Sequence, residues 1–148
     1  MKQLKYKKNS AVKILIVEDN VDTRNNIIEF LLENSIEAIG ADSIKEAMQI
    51  YSANASDIEL FLIDLKLSDG NGMDFLKAIK DESNSSHLSP IPKSIIINHF
   101  ITEDVRRIGK QLGVIAFIEK PFDLYELMKE VNKTLNPCEG LIPSPFPI

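Results

Sequence analysis

Glu18, Asp19, Asp64 and Lys120 are the side chains whose type and spacing point to chemistry. Two apolar runs end in acids: Lys13-Ile14-Leu15-Ile16-Val17 precedes Glu18-Asp19-Asn20, and Leu60-Phe61-Leu62-Ile63 precedes Asp64. Lys120 stands just past a third run, Val114-Ile115-Ala116-Phe117-Ile118. Short unbroken runs of this kind read as strands buried on both faces, and acids at their carboxyl ends stand where open α/β sheets hold ligands. An Asp at such a place also reads as a helix cap or a solvated turn residue. Three converging carboxylates repel: a pair about 4 Å apart costs on the order of 4 kcal/mol at an effective dielectric of about 20, so the cluster needs a cation or a proton. All-oxygen ligands with an open side suit Mg²⁺, which keeps several waters and accepts a phosphate oxygen. With a metal and the Lys120 ammonium flanking Asp64, positive charge would surround a transferring phosphoryl group, and the Asp64 carboxylate could attack phosphorus to form an acyl phosphate. The plainer alternative is a salt bridge from Lys120 that ties strand ends together.

The elements that must position these groups follow from periodicity. Asp22 reads as the N-cap of a helix carrying Ile27, Ile28, Leu31 and Leu32, and Glu37–Ala41 as a short edge strand. Ser43 and Glu46 have capping-box spacing ahead of Ala47, Ile50 and Tyr51. Gly70 and Gly72 punctuate the turn after Asp64, and Met73, Leu76 and Ile79 mark a third helix. The polar stretch from Asp81 to Pro92, with two prolines, reads as a long loop that includes His87 as a surface residue. Ser94–His99 is the fourth strand; Thr102 caps a helix with Val105, Ile108 and Leu112 that Gly113 closes. After the fifth strand, Asp123 and Glu126 open a last helix burying Leu124, Leu127, Met128, Val131 and Leu135. Five βα units specify an α/β fold: a doubly wound, five-stranded parallel sheet of flavodoxin-like order 2-1-3-4-5 with helices on both faces. In that order the first and third strands are neighbours at the switch point, which brings Glu18, Asp19 and Asp64 into one crevice.

Composition bounds the rest. At 148 residues the chain is one domain's worth, able to bury roughly two-thirds of its unfolded surface without disulfides. A hydrophobic share of 44% and a charged share of 26% are ordinary for a soluble protein. A net charge of -5 argues against general nucleic-acid affinity within this chain. The single Cys138 excludes a disulfide framework and a thiolate metal cage, and a cytoplasmic location fits. No apolar run approaches the roughly 20 residues of a spanning helix, so no membrane association is expected. Residues 1–11, with Lys2, Lys5, Lys7 and Lys8, read as a basic disordered tail, 12–136 as the domain, and 137–148, with Pro137, Pro143, Pro145 and Pro147, as a Pro-rich tail or linker stub.

Together, Val17-Glu18-Asp19-Asn20, Leu62-Ile63-Asp64-Leu65-Lys66-Leu67-Ser68-Asp69-Gly70-Asn71-Gly72 and Lys120-Pro121-Phe122 resemble the receiver domain of two-component response regulators, from about Lys13 to Asn136. The resemblance implies that Asp64 accepts a phosphoryl group from a phosphohistidine on a sensor histidine kinase or phosphotransfer protein. It implies Mg²⁺ held by Glu18, Asp19, Asp64 and the backbone carbonyl of Lys66, with Lys120 on the phosphoryl oxygens. It further implies a switch of partner binding, toward a downstream effector protein or domain, through the fourth strand and the aromatic Phe117 on the fifth. Asn98 stands where that family usually has Ser or Thr, His99 where it usually has a small residue, and Ser68 where it often has Pro. An Asn amide can still donate to a phosphoryl oxygen, while His99 would crowd the approach to Asp64 or act as a proton donor or acceptor there. Two rival readings stay open. One is a degenerate receiver that binds partners without phosphorylation. The other is a Mg²⁺-dependent aspartyl phosphohydrolase of the haloacid dehalogenase type, which places an acid where this chain has Lys66. Arg106, Arg107 and Lys110, with Lys129 and Lys133, could pair with acids across a homodimer made by the fourth helix, fifth strand and fifth helix, or form a solvated face.

Overall fold

The computed structural model describes residues 12–86 and 90–136. The expected tails, 1–11 and 137–148, and His87 lie outside the described residues. The main sheet is formed by β1 (Ile14–Val17), β2 (Ala38–Ala41), β3 (Leu60–Asp64), β6 (Lys93–Asn98) and β7 (Val114–Glu119), all parallel, in the order β2-β1-β3-β6-β7. That is the expected 2-1-3-4-5 order. Between β3 and the third helix lies an unexpected two-stranded ribbon, β4 (Lys66–Leu67) and β5 (Gly70–Asn71), too short to show as a run in the sequence.

Alternation along the strands divides the core in two. Leu15, Val17, Phe61, Ile63 and Ile96 face α2 (Ile44–Asn54), α3 (Gly72–Ser86) and α4 (Glu103–Gln111), where Tyr51, Phe61 and Phe75 stack edge to face at centroid distances of 5.3 and 5.0 Å. Ile14, Ile16, Leu60, Leu62, Ile95 and Ile97 face α1 (Val21–Glu33) and α5 (Leu124–Leu135), meeting Ile27, Leu31, Leu127 and Val131. Each such side chain, fully buried, contributes roughly 1.5–3 kcal/mol of transfer free energy.

The caps follow the sequence with one correction: the N-cap of α1 is Asn20, whose side chain accepts from Thr23 N, whereas Asp22 lies in the first turn. The chain turns immediately beyond β1, so the helix begins earlier than its apolar stripe shows. Ser43, Thr102 and Asp123 cap α2, α4 and α5 as expected, and Glu46 reaches back to the amide of Asp42 at 2.7 Å. Gly113 follows α4 at φ 94°, a backbone angle that favours glycine. The expected loop from Asp81 is corrected as well: α3 continues to Ser86, because no Pro or Gly interrupts the chain before Pro90.

Candidate functional site

The sheet order places the ends of β1 and β3 side by side, with Val17 in register with Ile63. Glu18 and Asp64 therefore leave adjacent strands at the same edge and are 4% and 6% exposed, while Asp19 is open to solvent. One carboxylate oxygen from each of the three lies within 4.8 Å of the others. Lys120 directly follows β7, which β6 separates from β3, and its long stem crosses that gap. Its ammonium donates to Asp64 Oδ2 at 2.7 Å and to Glu18 Oε1 at 3.0 Å, and its backbone N–H donates to Asn98 O at 2.8 Å.

The remaining oxygens are also held. Asp64 Oδ1 accepts from Lys66 N at 3.0 Å, and Glu18 Oε2 accepts from Asn20 N at 3.0 Å. Arg24 donates to the backbone carbonyl of Glu18 at 2.8 Å. Burial pushes the Glu18 carboxyl above its ordinary value, against the opposing effect of the Asn20 amide and Lys120; the Asp64 charge pushes the same way as burial. For Lys120 burial alone would favour the neutral amine, but hydrogen bonds and attraction from Asp64 and Glu18 outweigh it and raise the ammonium's value.

Three carboxylates face one ammonium, a formal excess of two negative charges, and Asp19 makes no hydrogen bond or ion pair among the described residues. The donor set fits a hard divalent cation: oxygen ligands only, two of the carboxylates buried and one facing water.

The structure thus brings Glu18, Asp19, Asp64 and Lys120 together. Lys66 joins them through its N–H; its carbonyl is the ligand that the resemblance implies for a bound metal. Asn98 follows Ile97, the register partner of Asp64; its amide donates to Phe100 O at 3.1 Å, and its Oδ1 is buried without a partner. Phe117 lies apart from the pocket, half-buried under α4. Its ring occupies a slot left by the absent Cβ of Gly109, and the Arg106 guanidinium carbon lies 5.4 Å from its centroid. His99 is exposed on the wall of a cleft of about 430 Å³ that Lys120, Thr23, Asn26 and Phe122 also line; Asp64 is not among its walls. Sequence reasoning missed Glu119, which accepts from Ile101 N at 3.1 Å, and Asp69, which binds the start of α2. Only an Asp-Gly pair signalled Asp69, and it reads as turn chemistry.

A family model described as the response regulator receiver domain matches residues 14–132. The transcriptional regulatory protein CiaR of Streptococcus pneumoniae is 28% identical over 131 residues, 84% of this chain and 51% of that protein. The phosphate regulon transcriptional regulatory protein PhoB of Escherichia coli K12 is 29% identical over 125 residues, 84% of this chain and 52% of PhoB. The chain spans about half the length of these curated relatives. Among solved structures, the non-phosphorylated HemR receiver domain from Leptospira biflexa is similar at a TM-score of 0.72 and 28% identity, covering 84% of this chain and 94% of that one. A response regulator receiver protein from Pseudomonas putida is similar at 0.71 and 28% identity, covering 84% and 98%.

Proposed function

The chain belongs to the response regulator receiver domain family, and from that premise we propose that Asp64 is its phosphoacceptor, taking a phosphoryl group from a phosphohistidine on a sensor histidine kinase or phosphotransfer protein. One carboxylate oxygen of Asp64 attacks phosphorus, the P–N bond to the donor imidazole breaks, and an acyl phosphate forms on Asp64. The observation that carries this reading is the Lys120 ammonium at 2.7 Å from Asp64 Oδ2 and 3.0 Å from Glu18, beside an open Asp19. Glu18, Asp19, Asp64 and the Lys66 carbonyl would hold Mg²⁺, which when bound neutralises charge developing on the phosphoryl oxygens.

The chain's own residues supply the rest. Lys66 N–H fixes one oxygen of Asp64, leaving the other for attack. Lys120 exchanges its bond to that oxygen for one to a phosphoryl oxygen. Asn98 is the donor on the neighbouring strand; turning its amide to the phosphoryl group releases the Phe100 carbonyl, so phosphorylation reaches the loop before α4. Phe117 under α4 carries the change toward the face of α4, β7 and α5, where a downstream effector or a second copy of the chain would bind. We place this switch in the cytoplasm.

The test is incubation of the intact chain with acetyl phosphate and Mg²⁺, read by mass spectrometry. One added phosphoryl group, lost on Asp64→Asn and on chelation, supports the reading. No addition would leave a phosphorylation-independent interaction module, a reading that the Asn98 amide's engagement with Phe100 favours. Continuous turnover of a small phosphate ester would instead indicate the phosphohydrolase. Labelling rates of Asn98→Thr combined with His99→Ala decide whether these two side chains hinder the approach; rates equal to the native chain's remove that idea.

A further inference from the structure

Asp69 lies in the turn of the β4–β5 ribbon, exposed, and takes no part in the acidic pocket. Its two carboxylate oxygens nevertheless accept from two backbone amides 25 and 24 residues away: Ile44 N on Oδ1 at 2.9 Å and Lys45 N on Oδ2 at 3.0 Å. These are the first amides of α2, so one side chain clamps the ribbon to the start of a helix that packs against the sheet beside β2 and β1. The ribbon fits closely there. Gly70 adopts φ 148°, and a Cβ on it would approach Ile44 Cδ1 at 3.1 Å. At the ribbon's other end Gly72 N donates to Leu65 O at 2.9 Å, and a Cβ on Gly72 would strike the carbonyl oxygen of Asp64.

What the ribbon carries gives the clamp its consequence. Lys66 opens β4 and pairs with Asn71, and its N–H holds Asp64 Oδ1 at 3.0 Å. Asp64 is therefore gripped from two directions, by the ribbon through Lys66 and by Lys120 on the other oxygen. The Lys120 grip is rooted in the sheet through the bond of its N–H to Asn98 O. The Lys66 grip is rooted in a ribbon of two residues per strand, too short to be stable alone, whose base Leu65 and Leu67 hold against the core. Its other anchor is Asp69.

We propose that Asp69 is a positioning residue for the divalent-cation pocket: by clamping the ribbon to α2 it sets the position of the Lys66 backbone, and so the orientation of the Asp64 carboxylate, without touching either. The proposal rests on the reading of Glu18, Asp19 and Asp64 as a cation site. Residues one contact removed from metal ligands typically change metal affinity 10- to 100-fold when lost; Asp69 acts through a short ribbon, and about a tenfold loss is expected.

Mg²⁺ itself is the probe, titrated calorimetrically into the unphosphorylated native chain, Asp69→Ala, Asp69→Asn and Ser43→Ala. Ser43→Ala is the control because it removes a cap from the same helix end, the Ser43 Oγ to Glu46 N bond of 3.1 Å, without touching the ribbon. The expected result is about tenfold weaker Mg²⁺ binding in Asp69→Ala, a smaller loss in Asp69→Asn, which keeps one acceptor, and native affinity in Ser43→Ala. Amide hydrogen exchange at Lys66, read without metal, should quicken in Asp69→Ala and stay native in Ser43→Ala. Equal Mg²⁺ affinity in Asp69→Ala and the native chain, with both helix-end variants merely lowering the Tm, overturns the proposal and leaves Asp69 as a helix cap. If Asp69→Ala does not fold, Asp69→Asn decides alone by the same two readouts. Glu18→Gln separates the underlying reading: unchanged binding in that variant too, or no Mg²⁺ binding by the native chain, overturns the cation site itself and the proposal with it.

Discussion

At the scale of single residues the site is a balance of charges among two buried carboxylates, an exposed one and an ammonium. Lys120 is shared between Glu18 and Asp64, both nearly buried, so it competes with any cation for the same oxygens. Lys120→Met should therefore bind Mg²⁺ more tightly than the native chain while labelling with acetyl phosphate more slowly, since charge on the phosphoryl oxygens then lacks its ammonium; calorimetry and mass spectrometry check the two halves. Asp69 gives a pH prediction. Two backbone N–H bonds hold its carboxyl below the usual value of 3.8, so its contribution to stability is present above that value and is lost as pH falls through the lower folded one. The acid limb of the stability curve, followed by urea denaturation between about pH 5 and 2, should be flatter in Asp69→Asn than in the native chain. Glu18, Asp19, Asp64 and Lys120 were legible because each stands at the end of an apolar run. Asp69 was not, because its partners are 24 and 25 residues away and no periodicity links a turn to a helix start.

At the scale of elements, local sequence rules placed the strands within a residue or so and the helix starts nearly as well, since caps and apolar runs are local signals. The end of α3 was misread because a polar composition resembles a loop, whereas only a backbone breaker must end a helix. The Lys66–Asn71 ribbon was invisible for the opposite reason: two residues per strand show no alternation. Gly72 tests how closely that ribbon's exit is pressed against the sheet. A Cβ there would meet the Asp64 carbonyl oxygen and the Ile63 side chain, neither of which is a flexible chain end. Gly72→Ala should lower stability by about 1–3 kcal/mol, as overpacking does, with a matching fall in the urea midpoint.

At the scale of the molecule, two helical layers enclose one sheet, and Phe61 in β3 is central to one layer, fully buried between Tyr51 and Phe75. Phe61→Ala should cost about 3–5 kcal/mol in urea unfolding, and a much smaller loss would show that the layer collapses around the gap. The same sheet assembles the site. Alternating strands and helices, acids closing the first and third strands and a lysine closing the fifth were determined by the amino-acid order alone, because hydrophobic periodicity and capping are local. The convergence of those groups was decided by tertiary structure. It required β1 and β3 to pair, the Lys120 stem to cross β6, and the ribbon to be pinned on α2, and each depends on contacts between residues far apart in the chain. Local preference sets what a segment becomes; which side chains finally meet is set by packing the segments together, where burial and hydrogen bonding between distant residues outweigh what either contributes alone.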